Sequence, residues 1–391
     1  MSDPLGFVRE ELGRLEAASL LRNVRSLESA QEPEVTLDGR RVLLLASNNY
    51  LGLAADPRVV EAAAEAARRW GAGAGSARLI SGGVRLHDEL EARLAAFKGT
   101  EAALLFSSGY LANLGTISAL DGRGDAVFSD KLNHASIIDG ARLSGAQVHV
   151  YRHADAAHLA ELLGSSPAPR RLVVSDAVFS MDGDLAPLPP LAAVCEEHHA
   201  ILMVDEAHAT GVVGHGGRGA VAAAGLTGRV PVVMGTLSKA LGAAGGFIAG
   251  STGLITFLRN RARAFIFDTA TPAPVAAAAL AALDVVEREP WRAERARALA
   301  QRLAIGIASA GFAVGEPHAA IVPVQVGEAA AALALSAALL AQDVLVPAIR
   351  PPSVPAGTAR LRATVMATHS EEQIDAAVRA FAASRVGVSP G

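Results

Sequence analysis

Ile201-Leu202-Met203-Val204-Asp205-Glu206-Ala207-His208 is a run of four apolar residues that stops abruptly on two carboxylates and an imidazole. A short apolar run without alternation suits a strand buried on both faces, as in a parallel sheet. Ligands collect at the carboxyl ends of such strands, so Asp205 and His208 would face a crevice. The plainer reading is that Asp205 only caps the next turn. Similar runs occur at 103–106, 126–129, 147–151, 172–175, 230–234 and 246–249, separated by helical patterns that supply right-handed crossovers. Together they predict an α/β domain around a mainly parallel, seven-stranded sheet.

On the N-terminal side, the spacing of Leu12, Leu15, Ala18 and Leu21 predicts one amphipathic helix over 7–27. Asp56-Pro57 supplies an N-cap and first helical residue for a second helix. A third runs through Leu86, Leu90, Leu94 and Phe97 to Gly99, a C-terminal stop. Beyond Pro290 the pattern becomes a charged helix at 291–304, a strand at 321–326 and a helix at 328–342. The final helix opens with a Ser370/Gln373 capping box and carries the stripe Ile374, Ala377, Val378 and Phe381. The expected division is an N-terminal helix and extended segment at 1–50, a large domain at 51–288 and a smaller α+β domain at 289–391.

The 391 residues are 51% apolar and 19% charged, which excludes disorder as the main state. A net charge of −4 without basic runs argues against nucleic-acid binding. Cys195 is the only cysteine, so no intramolecular disulfide forms and a cytoplasmic location is expected. Met1-Ser2-Asp3-Pro4-Leu5 lacks the basic-then-apolar order of a secretory leader. Residues 102–120 and 240–258 are uncharged stretches nearly long enough to span a membrane, but their glycines and polar residues read as turns in a folded core, with no membrane partner.

Several strand ends carry chemistry. Gly235-Thr236-Leu237-Ser238-Lys239 places an amine at the end of a buried strand, where desolvation lowers a lysine pKa and suits an imine-forming amine. Lys239 follows Asp205 by about one βαβ step, which puts both at one sheet edge. Ser107-Ser108-Gly109-Tyr110 is a strand-to-helix turn of small residues, the form of a phosphate cradle, with Thr236 and Ser238 as further donors. His134, in Asn133-His134-Ala135-Ser136, reads either as a satisfied loop residue or as an imidazole stacked on an aromatic ring. The acids of 178–184 lack EF-hand spacing and His198-His199 lack partners at ligand spacing, so no metal is expected. Asp-Glu-Ala-His also occurs in helicase-type ATPases, but the required G-x-x-x-x-G-K-[ST] loop is missing.

Read together, these segments resemble the pyridoxal 5'-phosphate (PLP)-dependent α-oxoamine synthases of aminotransferase fold type I. The resemblance is carried by Ser47-Asn48-Asn49-Tyr50-Leu51-Gly52-Leu53, Gly75-Ser76-Ala77-Arg78, Ser107-Ser108-Gly109-Tyr110 and Asn133-His134-Ala135-Ser136. It continues in Phe179-Ser180-Met181-Asp182-Gly183, Asp205-Glu206-Ala207-His208-Ala209-Thr210-Gly211 and Thr236-Leu237-Ser238-Lys239, and it extends from about Leu12 to Phe381. It implies a decarboxylative condensation of an amino acid with an acyl thioester. The segment Ala348-Ile349-Arg350-Pro351-Pro352-Ser353 and its continuation to Arg362 look like members that join L-alanine to a pimeloyl thioester in biotin biosynthesis; other members use glycine or serine. This chain departs from the usual pattern at Ser353, where threonine is commoner, and at Phe267-Asp268-Thr269.

The resemblance further implies that Lys239 holds PLP as a Schiff base and serves as the base, and that Asp205 pairs with the pyridine nitrogen. Ser180 and His208 would bond the ring's phenolic oxygen, His134 would stack on the ring, and Gly109, Tyr110 and Thr236 would hold the ring or phosphate end. Arg362 would take the amino-acid carboxylate, assisted by Asn49 across a homodimer interface, with Arg22 and Ser353 touching the acyl substrate. The acyl group would arrive on coenzyme A or acyl carrier protein.

Overall fold

A computed structural model describes residues 4–385; the first three residues, part of the stretch read for a leader, and the last six lie outside the described residues. The chain divides into two compact units, one of residues 48–180 and 184–297, the other of 1–47, 181–183 and 298–391. The first helix is Gly6–Ala17, shorter than the periodicity over 7–27 predicts. It ends where Ser19 adopts a positive φ of 57°, and no residue of the helix is buried, so packing does not extend it. Two strands follow, β1 (Glu34–Leu37) and β2 (Arg40–Leu44), paired antiparallel through Asp38-Gly39. Both turn residues have positive φ, the hairpin geometry that Asp-Gly favours.

The larger unit holds seven strands: β3 (Ala102–Phe106), β4 (Ala126–Asp130), β5 (Gln147–Tyr151), β6 (Arg171–Asp176), β7 (Ile201–Asp205), β8 (Val232–Thr236) and β9 (Gly246–Gly250). Their order is β3-β9-β8-β7-β6-β4-β5. Every pairing is parallel except the two made by β9, which runs against β3 and β8. Val127, Leu172, Val174, Met203, Val232 and Ile248 are buried to the last few per cent and pack with Ile117, Ile137 and Phe265 from covering helices. The strand order reverses between β4 and β6, so the chain leaving their carboxyl ends diverges and opens a crevice there. The two uncharged stretches resolve into strand plus helix, β3 with Gly109–Leu120 and β9 with Thr252–Arg261. No helix among the described residues is long and apolar enough to cross a membrane.

The smaller unit contains β10 (Ala313–Val314), β11 (Ile321–Gly327), β12 (Val344–Leu345), β13 (Ala348–Ile349) and β14 (Ala359–Thr364). An antiparallel sheet has the order β10-β11-β14-β13, while β12 joins β2 in parallel. The N-terminal hairpin thus shares a sheet and a small core of Val35, Leu37, Val42, Leu44, Leu345 and Met366 with residues far along the chain. The last helix, Glu371–Ser384, starts with the Ser370/Gln373 capping box and buries Ile374, Ala377 and Phe381.

Candidate active site

A cavity of about 190 Å³ lies in the larger unit at the carboxyl edge of the sheet. Asp176 ends β6, Asp205 ends β7 and Thr236 ends β8, and all three line it. Ser108 to Tyr110 after β3, His134 after β4, and Ser180, His208 and Lys239 complete the principal wall. Each belongs to a strand end or the turn that follows, as expected where buried parallel strands meet a crevice.

Lys239 Nζ is 2.7 Å from His208 Nε2. His208 Nδ1 is 2.7 Å from the Tyr50 hydroxyl, which donates to Asn48 Oδ1 at 3.0 Å. A second chain starts at Asp205, whose Oδ2 accepts from Asn113 Nδ2 at 2.6 Å and whose Oδ1 accepts from the Ala207 N–H at 2.8 Å. Asn113 Nδ2 also donates to Ser136 Oγ at 2.9 Å, and Ser136 Oγ lies 2.7 Å from His134 Nδ1. The Ser136 N–H points to the same ring nitrogen at 3.2 Å, so Nδ1 is the acceptor and the imidazole is neutral. Burial holds the His134 pKa below the ordinary histidine value; Asp205 opposes this and Lys239 adds to it.

Asp176 is fully buried in register with Asp205 and accepts the His134 N–H at 2.8 Å. Burial, and then the charge of Asp205, push its carboxyl well above the usual carboxylate range.

The turn after β3 is built by close backbone approach. Ser108 caps the helix Gly109–Leu120 by accepting from the Leu111 N–H at 3.1 Å, leaving first-turn N–H groups without intrahelical partners. A Cβ on Gly246 would lie 2.6 Å from both Cα and N of Gly109, and one on Gly109 would lie 2.9 Å from Met234 Cε. Thr236 Oγ1 is 2.8 Å from Ser238 Oγ, and the Ser107 hydroxyl donates to Asp268. Tyr110 turns its hydroxyl to Asp139 and meets His134 edge-on, with centroids 6.4 Å apart.

The arrangement fits PLP. Asp205 is a buried carboxylate at a cavity, and among the described residues no lysine or arginine forms an ion pair with it. Leaving such a charge unpaired is costly, and a pyridinium N–H would compensate it. Lys239 stands in the same cavity with an amine, and the Gly109 turn offers a helix N-terminus for a phosphate.

Of the four substrate-contact residues expected from sequence, Asn49 belongs to the larger unit and Arg22, Ser353 and Arg362 to the smaller. Asn49 is buried in the larger unit and accepts the Ala54 N–H at 3.1 Å. In the smaller unit, Arg22 donates to the Pro351 carbonyl at 3.0 Å, two residues from Ser353, and Arg362 is buried on β14.

Four residues of these networks escaped the sequence reading. Asp176 ends its strand one residue beyond 172–175, so the strand-end rule that singles out Asp205 would have found it. Asn113 lies one helical turn after Gly109, on the face that carries the cradle. Ser136 is two residues after His134 in a quoted motif, and Tyr50 offers no local signal because its partner is 158 residues away.

Residues 40–381 match the family model "Aminotransferase class I and II". A protein of Anaeromyxobacter dehalogenans named 8-amino-7-oxononanoate synthase is 54% identical over 379 residues, covering 97% of this chain and 95% of that one. One of the same name from Geobacter sulfurreducens is 50% identical, covering 97% and 98%. Among solved structures, the serine palmitoyltransferase of Sphingomonas wittichii superposes with a TM-score of 0.94 at 34% identity over the whole of both chains. The 8-amino-7-oxononanoate synthase of Francisella tularensis gives 0.75 at 26% identity, covering 88% of this chain and 97% of that one.

Proposed function

Since the chain belongs to the aminotransferase class I and II family, we propose that it is a PLP-dependent acyltransferase that condenses L-alanine with a pimeloyl thioester. The products are 8-amino-7-oxononanoate, carbon dioxide and the free thiol, a step of biotin biosynthesis. The observation that carries this reading is the cavity lined by the buried Asp205, which forms no ion pair with a described lysine or arginine, by the Lys239 amine and by the Gly109 turn. Full-length identity of about half to synthases of that name gives the substrates. The likeness to serine palmitoyltransferases is at 34–35% identity and concerns the fold, which does not select substrates.

When bound, PLP supplies an electron sink for negative charge at the amino-acid Cα. Asp205 would keep the ring nitrogen protonated, with Asn113 and the Ala207 N–H fixing the carboxylate's orientation. Lys239 would hold the cofactor through its amine and would serve as the base that takes the Cα proton. His208, whose Nε2 lies 2.7 Å from Lys239 Nζ, would with Ser180 bond the phenolic oxygen. His134, whose pKa burial lowers, would stack on the ring without adding charge. Gly109, Tyr110 and Thr236 would hold the ring or phosphate end. Arg362 takes the amino-acid carboxylate by bidentate pairing, aided by Asn49, while Arg22 and Ser353 contact the acyl chain. The carboxyl group that leaves lies β to the new ketone, which accepts its electrons, so the protein's part is orientation. A cytoplasmic homodimer is part of the proposal, supported by the exposed apolar pair Leu79 and Ile80.

The test is turnover of the purified chain with PLP, with products identified by mass. L-alanine is offered with pimeloyl groups on coenzyme A and on acyl carrier protein, alongside glycine with acetyl and serine with palmitoyl thioesters. Turnover of either of the last two pairs without the first would sink the assignment, and keto acid formed from alanine alone would indicate an aminotransferase. Lys239→Ala is expected to abolish the visible absorbance of covalently held PLP.

A further inference from the structure

A lysine and a glutamate are buried together in the larger unit, and the proposed chemistry uses neither. Lys98, the last residue of the helix Arg85–Lys98, and Glu206 have side chains 2% and 1% exposed, and their charged groups meet at 2.6 Å. The three ammonium protons are all used, on Glu206 Oε2, on Thr210 Oγ1 at 2.8 Å and on the Arg218 carbonyl at 2.9 Å. Glu206 Oε1 accepts the Val221 N–H at 2.7 Å. The glutamate backbone is held as well: its N–H donates to Met234 O at 2.8 Å, and its carbonyl accepts from Ala209 and Thr210. Gly219, at a φ of +110°, passes so close that a Cβ would sit 2.3 Å from Glu206 Oε2. Two segments are therefore shaped around this carboxylate.

Desolvation makes such a pair a poor source of stability, because an apolar pair of similar volume does as well or better. Burial pushes the Lys98 ammonium below the ordinary lysine range, with Glu206 opposing it. What ionic bonds add over apolar packing is direction, and here they converge on the residue that follows Asp205 and precedes His208 by two. We propose that Lys98 and Glu206 are positioning residues that lock the turn from Asp205 to Thr210, so that the Asp205 carboxylate and the His208 imidazole meet the PLP ring in register with Lys239. This rests on the reading of the cavity as a PLP site.

The test uses the double variant Lys98→Met/Glu206→Gln, which removes both charges and leaves no buried ion unpaired. Thr210→Val serves as a second variant, deleting one bond without changing charge. Apo protein is titrated with PLP, the pH midpoint of the bound cofactor's visible absorbance is measured, and kcat and KM for alanine follow. Expected for the double variant are an apo Tm close to the parent's, PLP affinity weaker by about tenfold and a kcat lower by about two orders of magnitude. The absorbance midpoint should also shift, KM should change little, and Thr210→Val should show the same changes to a smaller extent. A double variant with parental PLP affinity and absorbance midpoint overturns the proposal. So does a double variant that fails to fold while Thr210→Val keeps parental values. A parent chain that binds no PLP overturns the site reading itself, and this proposal with it.

Discussion

His153 offers a quantitative test of how the Ser180 loop is held. Its imidazole lies between two carboxylates, with Nδ1 3.0 Å from Asp130 and Nε2 2.8 Å from Asp184, and it meets the Phe179 ring edge-on at 4.4 Å. Asp184 belongs to the segment that carries Ser180, and its carbonyl accepts the Phe179 N–H. Hydrogen bonds that His153 donates to Asp130, and then to Asp184, raise its pKa to about 10 from 6.5. Raising a histidine favours the folded state most below pH 6.5, where the unfolded chain is also protonated; the gain declines above that and is lost once pH passes 10. Fully converted, the shift corresponds to about 5 kcal/mol. Solvent reaches the Asp184 side chain, 35% exposed, so about half that, roughly 2–3 kcal/mol, is the expected net worth. His153→Gln keeps a polar group without the charge. The measurement is the Tm of parent and variant at pH 6, 8 and 10 in one ionic strength. The gap should be largest at pH 6, reduced at pH 8 and nearly closed at pH 10. A gap that is constant with pH, or that widens toward pH 10, refutes the charged clamp.

Three further outcomes are expected. Asp121, buried with both carboxylate oxygens unpartnered at the C-terminal end of the helix Gly109–Leu120, has its pKa raised to about 7 by burial and by Asp125; the parent should lose up to about 4 kcal/mol of stability between pH 4 and 7, and Asp121→Asn should remove that slope in denaturant titrations. Asn113→Ala deletes a charge-assisted bond to Asp205, so a cost of about 2 kcal/mol should appear as a lower holoenzyme Tm and weaker PLP binding. Gly246→Ala drives a methyl group into the Gly109 backbone; a loss of about 1–3 kcal/mol and a weaker PLP affinity are expected, and unchanged PLP affinity would show that this contact does not shape the cradle.

Much of this site is legible in the sequence because strands buried on both faces are written as apolar runs, and the first polar residues after them mark the crevice. Asp205, His134, Thr236 and Lys239 are all found that way. Direction is not written in such a run, so the reversal of β9 was invisible to the apolar pattern. The Asp38-Gly39 hairpin left a usable signal, whereas the parallel pairing of β2 with β12 joins Leu43 to Val344 and depends on packing that no local window contains. Residues that orient others, such as Asn113, Ser136 and Tyr50, sit where helix faces and distant loops converge, and their partners become apparent only in three dimensions.

The reversed strand also bears on the order of assembly. β3 ends the sheet, and β9, its only strand partner among the described residues, is made about 140 residues later. As the chain emerges from the ribosome, the segment leading into the Ser107–Tyr110 turn has the helix Arg85–Lys98 beside it but no strand to pair with until Gly246 to Gly250 has been synthesised. The cradle that Gly109 and Gly246 form together then closes, after Asp205 and Lys239 have already been translated. Capture of the cofactor is therefore a late event in the life of the nascent chain, and a fragment truncated before Gly246 would display an unpaired strand edge in place of a binding site.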